Sequence, residues 1–135
     1  MLTISLRVGD HGYDECNINH NSFKHYVRIH VMVTEAILTA AFCLGIGGVE
    51  EVRHNYPLGY VKVDCETQTE VFEAGLDKRS SLDSVQQAQF FHLVTGKEPV
   101  VVIFDTDGKV GKYEYRIKSV ARSLGIKYLS IDVSN

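Results

Sequence analysis

The chain has 135 residues, of which 44% are hydrophobic and 23% are charged, and its formal net charge is −3. This length and composition suit one globular domain over residues 1–135. The mildly acidic balance excludes a protein that binds nucleic acid through a uniformly basic surface. The most apolar stretch, residues 26–46, is interrupted by Arg28, His30 and Glu35, which argues against a membrane-spanning helix and a membrane partner.

The cysteine pattern indicates a reducing, cytoplasmic setting. The chain has three cysteines, Cys16, Cys43 and Cys65, and no pair of them has CxxC spacing. An odd number without short spacings argues against a disulfide framework or a zinc knuckle. Cys43 and Cys65 fall on apolar faces, so we expect both to pack as core residues.

The first third of the chain predicts two strands and a helix. Residues 2–8 alternate apolar and polar side chains, as a strand does, and residues 9–22 have the composition of a loop. Residues 26–34 contain many β-branched side chains, which favours a strand, and residues 35–44 then form a helix that glycines end. The apolar spacing also fits one long helix through both segments, and the position of Glu35 depends on this choice.

The middle of the chain predicts short strands followed by a helix. Residues 49–54 form a strand, residues 55–59 form a turn, and residues 60–72 alternate apolar and polar side chains as a strand or hairpin. Residues 74–79 are expected to form a loop. Residues 80–94 form a helix that opens with a sequence similar to a capping box.

The last third predicts a strand, a helix and a second strand. Residues 100–105 begin with five apolar side chains, which predicts a strand buried on both faces. Residues 112–124 have helical spacing of apolar residues, and residues 127–133 close the chain as a strand. This order implies parallel strands joined by a right-handed crossover. We expect an α/β domain with a mostly parallel central sheet, flanking helices and an antiparallel hairpin insertion.

Asp105 and Asp107 are the first candidate site. Residues i and i+2 of a strand point the same way, so both carboxylates can converge just past the strand end, where open α/β sheets bind ligands. A divalent cation such as Mg²⁺ or Mn²⁺ relieves the repulsion between two such carboxylates. The alternative is a turn in which the aspartates accept hydrogen bonds from backbone amides.

A local basic segment follows the aspartates. Residues 109–127 hold one acid, Glu114, against six cations, namely Lys109, Lys112, Arg116, Lys118, Arg122 and Lys127. Near the start of the helix, phosphate binding would fall to Lys109, Gly111, Lys112 and Arg116. A solvated helix face is the alternative interpretation.

Two segments resemble the motifs of the Toprim domain, the catalytic module of bacterial-type primases, topoisomerases and overcoming-lysogenization-defect nucleases. Val33–Gly45 resembles the first motif, a glutamate between a strand and a helix, although Ala36 stands where the family has glycine. Asp105–Lys112 resembles the second, a strand that ends in Asp-x-Asp. Leu82–Phe91 is similar to a Gln-bearing helix of the primase relatives.

The resemblance covers roughly residues 26–133 and implies a function. It implies a Toprim- or Rossmann-like fold in which Glu35 is the general acid/base and Asp105 and Asp107 hold Mg²⁺ or Mn²⁺. It also implies phosphodiester chemistry on a nucleic acid or a nucleotide, of the nuclease or primase type.

Three other functional hypotheses remain open. Phe104–Val110 also resembles the first motif of haloacid-dehalogenase-type phosphatases, in which the first aspartate is the nucleophile. The chain could instead be a non-enzymatic module that binds a nucleotide or another phosphate ligand. It could also be an interaction protein that forms homo-oligomers through its edge strands.

The N-terminal segment carries side chains that can bind zinc. They are Asp10, His11, Asp14, Glu15, Cys16, His20, His25 and His30. His25 and His30 are five residues apart, which fits neither a helix face nor a strand face, and we expect most of the eight to be surface loop residues.

Overall fold

The computed structural model describes residues 34–78 and 82–134, which form one five-stranded sheet with three helices. The elements are, in chain order, α1 (Glu35–Gly45), β1 (Val49–Tyr56), β2 (Gly59–Glu66), β3 (Glu70–Leu76), α2 (Leu82–Thr95), β4 (Glu98–Asp105), α3 (Lys112–Ser123) and β5 (Lys127–Asp132). The strands lie side by side in chain order. Each helix within the two described ranges is too short or too polar to span a lipid bilayer.

The sheet is mixed, which corrects the expectation of a mostly parallel sheet. β1, β2 and β3 pair antiparallel, whereas β3, β4 and β5 pair parallel. The connections explain the difference. Short turns join β1, β2 and β3, so each of these strands runs opposite to the one before it, whereas α2 and α3 connect β3 to β4 and β4 to β5 and let these strands run in the same direction. Residues 49–76 therefore form three of the five strands of the sheet and are not an insertion into it.

Helices cover both faces of the sheet. On one face α1 packs against β3 and β4, and the ring of Phe42 meets the ring of Phe72 edge-on at 5.4 Å between centroids. On the other face α2 and α3 pack against Val101 and Ile103 of β4. Residues 99–105 are all buried, which confirms the prediction of a strand covered on both faces.

Most of the elements predicted from residue 35 onward are confirmed. The predicted helices correspond to α1, α2 and α3, and β4 and β5 are parallel as expected. One prediction is wrong, because residues 74–76 belong to β3 and not to a loop, and they continue its parallel pairing with β4. The predictions for residues 1–33, including the strand before Glu35 and the histidine-rich segment, lie outside the described residues.

Cys43 and Cys65 are fully buried, as expected, but they form a disulfide, which contradicts the expectation drawn from cysteine spacing. Cys43 lies on α1 and Cys65 lies on β2, 22 residues later. The pairing depends on how α1 packs against the sheet, so spacing rules for short motifs do not detect it.

Candidate metal centre

The first carboxylate cluster lies where β3 and β4 end. Asp77, Asp105 and Asp107 each place a carboxylate oxygen within 4.8 Å of the others, and we call these three residues the aspartate turn. The two aspartates predicted to converge therefore do so. Asp77 joins them because β3 and β4 are parallel and end at the same edge of the sheet.

Hydrogen bonds satisfy much of the charge in the aspartate turn. The backbone N–H and the hydroxyl of Thr106 donate to Asp77 at 2.9 and 2.8 Å. Oδ1 of Asp105 accepts from the amides of Asp107 and Gly108 at 3.1 and 2.7 Å, and Gly108 adopts a φ of 69° that favours glycine. Oδ1 of Asp107 accepts from the amide of Lys109 at 2.9 Å. These contacts are those of the alternative interpretation, in which the aspartates cap a turn.

The predicted phosphate-binding residues lie at the start of α3. Lys109, Gly111 and Arg116 are exposed, and Nζ of Lys112 lies 4.9 Å from the centre of the Tyr113 ring. The backbone N–H of Gly111 donates to the buried carboxylate of Glu114 at 2.6 Å. One amide at this helix terminus is thus satisfied by the protein itself.

Glu35 lies elsewhere. It is the first residue of α1, directly after Thr34, whose hydroxyl accepts from the amide of Ile37 at 3.4 Å. Within the described ranges, Glu35 is not part of the group that could share a cation with Asp105 and Asp107. Its charge acts instead on Glu73 of β3.

A second carboxylate cluster lies where β2 and β3 separate. These strands pair only through Cys65 with Phe72 and Glu66 with Val71. Beyond these two pairs, the backbone N–H of Ala74 on β3 donates to Oδ2 of Asp64 on β2 at 2.9 Å. The hydrogen bond thus goes to a side chain of β2 and not to its backbone.

The pairing of Asp64 with β1, on its other side, is irregular as well. The β1–β2 ladder skips the pair of Glu51 and Asp64, and Glu51 has a φ of 50°, which is unusual for a residue with a side chain. Such irregular positions in a sheet change the direction of nearby side chains and are frequent beside functional sites. The sheet is therefore distorted on both sides of Asp64.

Glu73 is the most perturbed acid of this cluster. Its side chain is 6% exposed, and burial, Asp64, Glu35 and Asp83 together raise its pKa to about 9. In its protonated form Glu73 donates a hydrogen bond to Asp64. We call Asp64 and Glu73 the acidic cleft.

Hydrogen-bond donors or cations contact the carboxylates of two other glutamates that have little exposed surface. Burial raises the pKa of Glu66, but hydrogen bonds from Lys97 and His54 outweigh burial and hold that pKa below its ordinary value. Glu114 accepts from Gly111 and, at 3.4 Å, from Ser130. Glu73 differs from both, because each influence recorded on its carboxyl group favours the protonated form.

Two surface depressions lie away from both clusters. One, of about 350 Å³, is lined by residues of α3, of β5 and of the turn between them, namely Lys118, Arg122, Gly125, Ile126, Lys127 and Tyr128. The other, of about 450 Å³, lies between α2 and α3 and is lined mostly by apolar side chains. Neither includes a carboxylate of the two clusters.

Asp64 and Glu73 were not among the residues singled out from the sequence. Glu73 follows Val71 and Phe72 and precedes Ala74, so it is an ionisable residue inside an apolar run, which is a signal of a buried acid. The sequence does not show that Asp64 lies beside it, because the pairing register of β2 and β3 decides this.

Comparison of the chain with protein-family models, with curated proteins and with solved structures finds no match.

Proposed function

We propose that the chain cleaves phosphodiester bonds in a nucleic acid or nucleotide, using a divalent cation held in the acidic cleft. The carrying observation is the contact between Asp64 and the buried Glu73 at the point where β2 and β3 separate. This reaction class is the one that the motifs imply, but the proposed metal ligands are Asp64 and Glu73 and not Asp105 and Asp107.

The donor set suits a hard cation. Carboxylate oxygens are the ligands that Mg²⁺ and Mn²⁺ prefer, and the two acids come from the neighbouring strands β2 and β3. A buried carboxylate needs a proton or a cation to offset its charge. In the acidic cleft a proton on Glu73 does this, and a cation can replace it.

Such a cation would activate water and offset the charge that develops on a phosphate oxygen. Asp64 and Glu73 are the proposed ligands.

The basic segment supports a polyanionic substrate. Lys109, Lys112 and Arg116 lie at or just before the first turns of α3, and Lys118 and Arg122 continue along that helix. Phosphate contacts from such residues give affinity without sequence preference. We propose that this surface, including the amides near Gly111, binds the phosphate backbone.

A second candidate is a Toprim-like centre at the aspartate turn. The observation that favours it is the third carboxylate, Asp77, within 4.8 Å of Asp105 and Asp107. The hydrogen bonds that these aspartates accept favour the acidic cleft instead, because they already offset the charge.

One series of variants separates the two candidates. We expect the wild type to cut single- or double-stranded DNA or RNA with Mn²⁺ or Mg²⁺ and not with a chelator. Asp64→Asn and Glu73→Gln should each lower the rate by about 100-fold or more.

The matched controls are Asp105→Asn and Asp107→Asn, which remove charge from the aspartate turn and keep its shape. We expect both to retain the wild-type rate within about threefold. Loss of cutting in these controls, with Asp64→Asn and Glu73→Gln active, would place the centre at the aspartate turn. Tight nucleotide binding without any cutting would favour the non-enzymatic module.

A further inference from the structure

We propose that the depression between α3 and β5 binds the terminal phosphate monoester of a nucleotide through Lys118 and Arg122. The choice of a nucleotide as ligand rests on the proposed function, because a protein that cuts phosphodiester bonds meets nucleotide ends as substrate and as product. Such a depression is a second binding site, and it needs neither the acidic cleft nor a divalent cation.

Lys118 and Arg122 lie on the flank of α3 that is next to β5. Each directly follows a buried residue, Ile117 or Ala121, and successive residues of an α-helix are rotated by about 100°. Both cations therefore lie beside the face of α3 that packs on the sheet, one turn apart. Nζ of Lys118 is 6.0 Å from the ring centre of Tyr128 on β5, which shows the direction of this flank.

Lys112 and Arg116 have the same four-residue spacing but lie on a different side of α3. Arg116 precedes Lys118 by two residues, which is a rotation of about 200° in an α-helix. Neither Lys112 nor Arg116 lines the depression, whereas Lys118 and Arg122 do. The basic segment is therefore divided into an outer surface, along which a phosphate backbone can pass, and a depression, which can receive the end of a chain.

The two cations in the depression have no acidic partner within the part of the chain that the structure describes. The ion pairs of that part join other residues, and the lining of the depression includes no aspartate or glutamate. Lys127, the third cation of the lining, differs, because its Nζ lies 2.9 Å from Oε1 of Glu70. Like charges four residues apart on a helix repel, and a bound anion would offset this repulsion between Lys118 and Arg122.

The ring of Tyr128 forms a neutral part of the depression. Burial and the charge of Glu114 raise the pKa of Tyr128, so its hydroxyl keeps its proton. Glu114 itself is buried, and its carboxylate accepts hydrogen bonds from the N–H of Gly111 at 2.6 Å and from Ser130 at 3.4 Å. The depression therefore combines two positive charges with an uncharged aromatic surface.

The size and charge of the depression fit a terminal phosphate. Its volume is about 350 Å³, and sites for small ligands have volumes of about 300–1,000 Å³. A phosphate monoester carries a charge of about −1.5 to −2 at pH 7, whereas each phosphodiester of a backbone carries a single negative charge. Lys118 and Arg122 together match the charge of the monoester. The Tyr128 ring offers a surface on which the base can stack.

The depression is separate from both carboxylate clusters. Lys127 and Asp132 lie at opposite ends of β5, and Asp132 is in register with Asp105 of the aspartate turn. Five strand residues span about 16 Å, so one phosphate cannot occupy both places. β4 lies between Tyr128 on β5 and Glu73 on β3. Binding in the depression can therefore be measured while the acidic cleft holds no cation.

The test compares three ligands by calorimetry in the presence of a chelator. Adenosine 5′-monophosphate (AMP) carries a monoester, the dinucleoside monophosphate ApA carries only a diester, and adenosine carries neither. The test variant is Lys118→Gln/Arg122→Gln. The matched control is Lys112→Gln/Arg116→Gln, which removes two cations of the same spacing from the same helix. All four residues are exposed, so both variants should unfold at the wild-type temperature.

We expect the wild type to bind AMP at least about tenfold more tightly than ApA and not to bind adenosine. Lys118→Gln/Arg122→Gln should weaken AMP binding by about tenfold or more, whereas the control should stay within about threefold of wild type. A trinucleotide with and without a 5′-phosphate then identifies the source of the ligand. Preference for the phosphorylated form indicates the end of a chain, and weak binding of both forms indicates a free mononucleotide. Either result keeps the monoester site.

Equal affinity for AMP and ApA would overturn the monoester site, as would no binding at millimolar AMP or equal losses in the two double variants. Failure of the proposed function has a different signature. If the wild type binds AMP but does not cut nucleic acid with Mn²⁺, the metal centre is wrong and the phosphate site stands. Glu73→Gln should bind AMP as the wild type does, because β4 separates this residue from the depression.

Discussion

The aspartate turn brings three carboxylates together and the acidic cleft two, and they offset the charge in opposite ways. In the aspartate turn, four backbone amides and one hydroxyl donate to the carboxylates. In the acidic cleft, Glu73 is buried among other acids, and its pKa is raised to about 9. The first arrangement stabilises a fold, whereas the second costs stability, as groups at functional sites often do.

The sharpest way to break this comparison is the variant Glu73→Gln. Between pH 4.5 and about 9 the folded protein keeps a proton on Glu73 that the unfolded chain releases, so the free energy of unfolding falls as pH rises. Glutamine resembles the protonated form, so we expect this variant to be more stable than wild type by about 2–4 kcal/mol at pH 8. Near pH 4 the two should be equal. Urea unfolding at both pH values measures the difference.

The matched control is Glu66→Gln, because Glu66 is also poorly exposed but is paired with Lys97 and His54. The lowered pKa of Glu66 contributes stability above its ordinary value, and this contribution is lost as pH falls through the lowered value. Glu66→Gln should therefore be less stable than wild type at pH 8. Loss of stability in both variants would mean that the acidic cleft does not differ from an ordinary ion pair.

The pH dependence of cation binding tests the same comparison through the affinity for Mn²⁺. A cation in the acidic cleft must displace the proton of Glu73, so Mn²⁺ affinity should rise about tenfold per pH unit below pH 9. Calorimetry at pH 6 and pH 8 should differ by about 100-fold in the dissociation constant. Glu73→Gln should abolish that dependence. A constant affinity over this range would argue for a site without Glu73.

The aspartate turn predicts a smaller effect of the opposite sign. Asp105→Ala removes the acceptor for the amides of Asp107 and Gly108, so we expect a loss of about 1–2 kcal/mol in stability. Asp105→Asn keeps the acceptor oxygen and should lie within about 0.5 kcal/mol of wild type. Thermal unfolding of the pair measures both. Equal stability of the alanine variant and wild type would deny the capping role.

The smallest expected effect concerns the backbone beside the acidic cleft. Glu51 has a φ of 50°, so Glu51→Gly should stabilise the protein by about 0.5–1 kcal/mol. The side chain of Glu51 forms an exposed pair with Lys62, which contributes little. Glu50→Gly is the control and should destabilise, because Glu50 pairs with Cys65 in the ladder. The reverse order would mean that the backbone at Glu51 is unstrained.

Local patterns were sufficient for most elements from residue 35 onward. The five apolar residues before Asp105 indicated a doubly covered strand, and the 3.6-residue spacing of Ile117 and Ala121 indicated α3, because burial imposes these periods directly on the sequence. The same local reasoning failed at residues 74–76. That segment is short, contains Gly75, and becomes a strand only by pairing with β4.

The candidate site depends more strongly on tertiary structure. Asp105 and Asp107 were detectable because they are neighbours in one motif. The position of Glu35 was not, since the motif pattern connects this residue to Asp105 and Asp107, whereas in the structure it lies outside the group that they form with Asp77. Asp64 and Glu73 lie nine residues apart, and their contact follows from the turn between β2 and β3.

The amino-acid sequence by itself determined most of the helices and strands from residue 35 onward, and it showed that Asp105 and Asp107 can converge at the end of a strand. Tertiary structure alone decided that the sheet is mixed, that Cys43 meets Cys65, and that the carboxylates divide into two clusters. The reason is physical. Periodicity and capping act between residues that are close in sequence. Strand register, helix docking and the burial of Glu73 depend on contacts between distant segments, which local sequence patterns do not predict.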